Sequence, residues 1–335
     1  MPRRHDIDIA KGFTILLVVF GHLVASVDPV GVGWYEPLRR AVYAFHMPFF
    51  LYLNGLVAVL SGMMLMPRAA WPGIAAARAR RLLLPFFALG LLIVAAKILA
   101  ARFLTVDHAP RAWWPGVSDL FWHTAASPAV SIWYLFVLFT VSLGAMFWLR
   151  GAPRRYPALL VCCALLYVVP WPAYAYLDRI GTYAVFFVAG AGAGFLGSGW
   201  DRFIDRSWKL LLGMLLAALL AIIVYGAGWP EKYLLLPVGM LAMPALHGSL
   251  RSLTPSSPNL LLSGLLLLGR YSFMIYLFNT MCIGLTKALL LLVCSWDGAH
   301  FLPFAVALMV SGTLGPIALK TWAFRRVPTL DRLTD

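Results

Sequence analysis

Repeated runs of about 20 mostly apolar residues set the terms for this chain. In hydrocarbon a backbone must satisfy its own hydrogen bonds, so a run of that length points to a membrane-spanning helix. The runs fall roughly at 9–27, 41–63, 82–101, 131–149, 156–171, 180–198, 208–226, 232–248, 270–293 and 301–321. Turn chemistry separates several of them: Pro67, Pro72 and Gly73; Gly151 to Pro157; Thr254 to Pro258. Composition agrees, since only 12% of the 335 residues are charged, about half the share of a soluble domain. The expectation is an all-α, polytopic membrane protein with about ten transmembrane helices. It forms one transmembrane domain over 1–335, with no separate soluble domain.

The N-terminus has the basic-then-apolar order of a signal peptide. Lys11 and His22 interrupt that run and many further spans follow it, so it is read as the first transmembrane helix. The net charge of +14 is read by location. Arg3 and Arg4, the arginines from Arg68 to Arg81, and the basic residues at 150–155, 202–209, 251–270 and 320–332 fall on the side of the termini. Arg39, Arg40, Arg102, Arg111, Arg179 and Lys232 fall on the other. A bias of about threefold predicts cytoplasmic termini and a multi-pass protein of the inner cell membrane. Charge scattered over alternate short loops does not make a phosphate-tracking stripe, so nucleic acid is not an expected partner. Cys162, Cys163, Cys282 and Cys294 show neither metal-ligand spacing nor a disulfide framework, and no metal is expected. The largest outward loop, 102–130, holds Asp107, His108, Trp113, Trp114, Asp119 and His123. Its aromatics suit a membrane interface, or stacking on a sugar face.

Ionisable groups inside apolar spans are costly and mark function. In HDIDIAKGFTILLVVFGH, Lys11 and His22 differ by about 20° around a helix and about 16 Å in height, with Asp8 within about 60° of both. One face of the first span thus carries an acid, a base and an imidazole. The second span, AVYAFHMPFFLYLNGL, brings His46 to a depth similar to that of His22. Pro48 frees a backbone carbonyl there, and Asn54 lies one to two turns deeper. Two imidazoles and an amide at one level resemble a proton-transfer site, although two satisfied core histidines have the same spacing. The third span is entered through RARRLLLPFF. Arg78, Arg80 and Arg81 there serve either as a cytoplasmic anchor or as a clamp for an anionic ligand, whose phosphates guanidinium forks suit.

DIDIAKGFTILLVVFGH, FHMPFFLYLNGL, RARRLLLPFF, SIWYLFVLF and GRYSFMIYLFN resemble motifs of the membrane acyltransferase-3 family, in its fucose-4-O-acetylase-like branch. The resemblance covers spans one to four well. It implies ten membrane helices and transfer of an acyl group, usually acetyl, from cytosolic acyl-CoA to a hydroxyl of a glycan or lipid-linked acceptor. It implies His22 as the catalytic histidine and Lys11 as the charge on the donor path. Lys11 stands where most members have Arg, Asn54 where Ser is common, and Asn279 where relatives often have His.

The combined expectation is an O-acyltransferase with His22, Lys11, Asp8 and His46 catalytic. Lys11, Arg78, Arg80 and Arg81 would bind acyl-CoA, and Asn54, Trp133 and Glu36 would contact the acceptor. A rise of about 16 Å from Lys11 to His22 is of the right order for a pantetheine arm. A multi-pass exporter or flippase of a glycan precursor is the alternative, since it too would line a path with Lys and His.

Overall fold

The computed structural model describes residues 4–24, 29–102, 109–253 and 259–334. Arg3, Asp107, His108 and the turn Thr254 to Pro258 lie outside the described residues. The helices in chain order are α1 (His5–Gly21), α2 (Tyr35–Tyr43), α3 (His46–Leu60), α4 (Trp71–Arg78), α5 (Leu84–Ala100), α6 (Trp113–Phe121), α7 (Trp133–Leu149) and α8 (Tyr156–Val168). Then follow α9 (Leu177–Leu196), α10 (Ser198–Tyr225), α11 (Glu231–Ser252), α12 (Leu260–Arg270), α13 (Ser272–Leu290), α14 (Phe301–Trp322) and α15 (Pro328–Leu333). Among the described residues there are two isolated β-bridges and no strand.

The expected all-α membrane architecture holds. Among the described residues eight helical segments are long and apolar enough to cross a membrane: Tyr35–Leu60, Arg68–Ala100, Val130–Leu149, Leu177–Leu196, Ser198–Tyr225, Glu231–Ser252, Ser272–Leu290 and Phe301–Arg326. The other two expected spans are shorter helices. The 17-residue α1 stops at Gly21, and α8 has 13 residues. At 1.5 Å per residue α1 is about 25 Å long, less than the hydrocarbon thickness of about 30 Å. Its last carbonyls have no partners within the helix. In Tyr35–Leu60, 78% of the apolar window is buried, against 11% in Ser198–Tyr225. The first is a core element, and the second leaves most of its apolar side uncovered by the protein.

The chain divides into two compact units, Met1–Leu53 with Leu196–Asp335, and Asn54–Phe195. In the first, α1 packs backbone against backbone on α12. A Cβ at Gly12 would lie 2.0 Å from the Leu265 carbonyl oxygen, and one at Gly269 would lie 1.9 Å from that of Asp8. Small residues at such crossings let helices approach closely where lipid offers no hydrophobic drive. On the other flank, Gly312 of α14 admits the side chains of Val19 and Ile283.

In the second unit, α3 beyond Asn54 meets α9 in the same way, with Gly55 against the Phe187 carbonyl. The segment Arg68–Ala100 carries a π-helical turn over Ala79–Leu83, where the N–H of Leu84 bonds the Ala79 carbonyl. Pro85 explains its place. Proline has no N–H to return to the Arg81 carbonyl, so the regular ladder cannot continue. Phe86, Phe136 and Tyr176 form an aromatic core, and the Tyr176 hydroxyl donates to the Leu120 carbonyl at 2.9 Å.

Substitution of Gly12 tests the α1–α12 contact, because the blocking atom is backbone and cannot rotate away. Gly12→Ala should destabilise the purified protein by about 1–3 kcal/mol, read as a lower melting temperature in detergent. Gly264→Ala, where a Cβ meets open space, should leave it unchanged.

Candidate active site

In the first unit the histidine site is built on the stopped end of α1. A helix terminus leaves carbonyls without intrahelical partners. Here the Tyr35 hydroxyl donates to the Phe20 carbonyl at 2.7 Å and the Tyr43 hydroxyl to the Gly21 carbonyl at 2.9 Å. Arg39 reaches the Val24 carbonyl at 3.4 Å. Tyr35, Arg39 and Tyr43 recur every four residues on α2, so one stripe of that helix serves the end of α1. His22 follows directly as the cap residue, with φ −96° and ψ 3°, outside the helical basin. Neither of its ring nitrogens has a hydrogen bond among the described residues.

His46 is buried at the start of α3, its ring 4.9 Å from that of Tyr43. Its Nδ1 lies 2.9 Å from the Val42 carbonyl. A carbonyl only accepts, so Nδ1 carries the proton and neutral His46 holds its lone pair on Nε2. Asp8 and Lys11 are half-buried on α1, and each interacts with other groups. Glu36 is occupied locally, accepting from Arg39 at 2.7 Å with Arg40 at 3.7 Å.

The second unit holds the remaining expected residues. Arg78 is half-buried. Its Nη1 donates to the Met63 sulfur at 3.2 Å, and its Nε is buried without a partner among the described residues. Arg80 and Arg81 are exposed in the π-helical turn. Asn54 donates to the Tyr134 hydroxyl at 2.6 Å. Trp133 is only 9% exposed. The Arg179 guanidinium sits 4.6 Å from its ring and Tyr183 4.8 Å, so its indole is a packed group, not an open stacking surface.

Sequence reasoning passed over a second polar cluster in the first unit. Asp6, 5% exposed, faces His247 Nε2 at 3.4 Å, Arg4 Nε at 3.1 Å and Arg251 at 3.3 Å. His247 Nδ1 lies 2.6 Å from the Tyr52 hydroxyl, which accepts from Trp200 Nε1 at 2.8 Å. Asp201 and Asp205 close the rim on Arg4 and Arg251. A signal for it was available: His247 is an ionisable side chain in an apolar span. The caps Tyr35 and Tyr43 were legible only in the spacing of α2. Ser295, Asp297 and His300, by contrast, share one turn in which Asp297 accepts from the backbone N–H groups of Ala299 and His300. That geometry is an Asx turn just before α14.

A model of the Acyl_transf_3 family, described as an acyltransferase domain, matches residues 4–321. The chain belongs to the acyltransferase-3 family. It is also similar to nodulation protein NolL of Sinorhizobium fredii (strain NBRC 101917 / NGR234), 38% identical over 95 residues, covering 28% of this chain and 25% of that protein. NolL of Mesorhizobium japonicum (strain LMG 29417 / CECT 9101 / MAFF 303099) is 38% identical over 80 residues, 23% of this chain and 20% of that protein. The matched segments thus span at most a quarter of the length of these curated relatives. No solved structure matches the chain significantly. Membership of this family gives the multi-pass scaffold a transferase context, in which the two histidines and the partly unpartnered Arg78 become the groups to explain.

Asp6 supplies a test of the second cluster. Asp6→Asn removes the charge that Arg4, His247 and Arg251 surround and should melt lower than the parent in detergent at neutral pH, by about 1–3 kcal/mol.

Proposed function

We propose that the protein is an integral membrane O-acyltransferase. It moves an acyl group, acetyl in the first instance, from cytosolic acyl-CoA to a hydroxyl of a glycan or lipid-linked sugar. Its termini are cytoplasmic and its membrane is the inner cell membrane. The observation that carries the reading is His22 itself. Its imidazole stands at the broken end of α1 with no hydrogen bond among the described residues; Tyr43, whose hydroxyl bonds the carbonyl of the preceding Gly21, has its ring 4.9 Å from that of His46, whose lone pair is on Nε2. Family membership supplies the reaction class.

In the proposed step His22 takes the proton of the acceptor hydroxyl as that oxygen attacks the thioester carbonyl carbon. The new C–O bond forms and the C–S bond breaks. The CoA thiolate then recovers the proton from the imidazolium and leaves as free thiol. The lone pair of His46 Nε2 suits an acceptor for a His22 N–H, which would fix the tautomer that presents a basic nitrogen to the acceptor. The α1 carbonyls form the negative end of the helix dipole beside the cation that His22 becomes.

Asp8 and Lys11 polarise the donor path. Arg78, Arg80 and Arg81 hold the nucleotide phosphates, and the buried unpartnered Nε of Arg78 fits a guanidinium kept for an anion. Asn54, Trp133 and Glu36 bear on the acceptor side, Trp133 as a packed support.

Labelled acetyl-CoA supplied to membranes containing the protein tests this. His22→Ala should lower acyl transfer by about 10²–10⁴-fold while the protein still accumulates in the membrane. Undiminished transfer by that variant would end the proposal, and transport of a glycan precursor would take its place.

A further inference from the structure

We infer that Asp6, His247 and Tyr52 are positioning residues that set the rotation of α1 about its axis and so aim Asp8 and Lys11. This rests on the function proposed above, which places those two groups on the donor path.

The hydrogen-bond directions follow from the donor inventory. An indole N–H only donates, so Trp200 gives its proton to the Tyr52 oxygen at 2.8 Å. The Asp6 carboxylate only accepts, so the His247 Nε2 facing it at 3.4 Å carries a hydrogen, and in the neutral ring Nδ1 is then the acceptor for the Tyr52 hydroxyl at 2.6 Å. The chain runs one way and joins α10, α3, α11 and α1. Tyr52 and His247 are fully buried and Asp6 nearly so. A satisfied polar network in such surroundings is rigid, because any rotation that breaks it strands a buried donor or a charge.

Helix geometry gives the network its lever. Asp6 lies about 140° around α1 from Lys11 and about 160° from Asp8. Holding the carboxylate on one side fixes the opposite side for the other two. The glycine contact with α12 sets how closely α1 is approached but offers no side chain to stop it turning. Arg4 and Arg251, with Asp201 and Asp205, form the charged rim of the pin. The pin sits within two turns of Asp8 and Lys11 but sixteen residues from His22. Loosening it should therefore disturb donor binding more than the chemical step.

The test uses the full-length protein in native membranes, labelled acetyl-CoA as donor and the endogenous membrane glycans and lipids as acceptor. Asp6→Asn and His247→Gln should each raise KM for acetyl-CoA by about 5- to 20-fold, with kcat held within about twofold. The double variant should be no worse than the weaker single variant, as for residues acting as one unit. Tyr52→Phe keeps the ring and should raise KM less, which preserves the test if a charge variant fails to accumulate. An unchanged KM in variants that accumulate normally overturns the positioning role, as do single effects that multiply in the double variant. His22→Ala, run alongside, separates the two readings. Full transfer by that variant removes the proposed function and the pin's role with it, whereas a dead His22→Ala with unchanged KM in the pin variants removes the pin alone.

Discussion

The burial of ionisable groups on α1 is the constraint around which the first unit is arranged. A charge taken out of water needs compensation in kind, by paired charges and directed hydrogen bonds. Asp6 receives that in full from Arg4, His247 and Arg251. Asp8 and Lys11, on the opposite side, are only half-buried. One helix thus carries a closed polar face and a partly open one. The closed face gives the short α1 a fixed azimuth that apolar side chains alone would define poorly, since lipid tails and leucines are nearly interchangeable neighbours.

The same constraint governs the other end of α1. The last carbonyls of a helix have no partners within it. Tyr35 and Tyr43 answer that need from α2, and so place an amphipathic helix directly against His22. The arrangement is economical in covalent terms. The hydroxyls that terminate the helix bond the carbonyls of the two residues just before His22, whose ring makes no hydrogen bond of its own among the described residues.

How far this was legible in the sequence depends on the range of the interaction concerned. Hydropathy located the apolar helices, because length and composition are local. The shared face of Asp8, Lys11 and His22 followed from helical pitch alone. The end of α1 at Gly21 was not legible. The run stays apolar beyond that residue, and the stop is set by hydroxyls contributed from α2. The π-helical turn at Arg80 and Arg81 was hidden for a related reason. Pro85 marks the spot, but a kink, a break and an inserted residue all begin from the same missing N–H. Trp133 shows the opposite limit. Its type suited a binding surface, yet Arg179 and Tyr183 cover it, and neither is near it in sequence. The partnership of Asp6 with His247 spans 241 residues and required the fold.

His46 sharpens what the two histidines can do together. With Nδ1 committed to the Val42 carbonyl, its neutral ring is a hydrogen-bond acceptor at Nε2 and nothing else. Two imidazoles each free to choose a tautomer would spread a proton over several arrangements, only some of them useful to a base. Fixing one by the backbone of its own helix removes that freedom before any substrate arrives. On the proposed mechanism, this assigns the proton-accepting role to His22, whose ring has no hydrogen bond among the described residues, and leaves His46 to decide which of its nitrogens is basic. Pro48 belongs to the same device. It lacks the N–H that would return to the Ala44 carbonyl, and the helical path is broken at Ala44 and Phe45, just before α3 begins. A histidine beside that break can point its ring back along the chain to Val42 while its other nitrogen faces away.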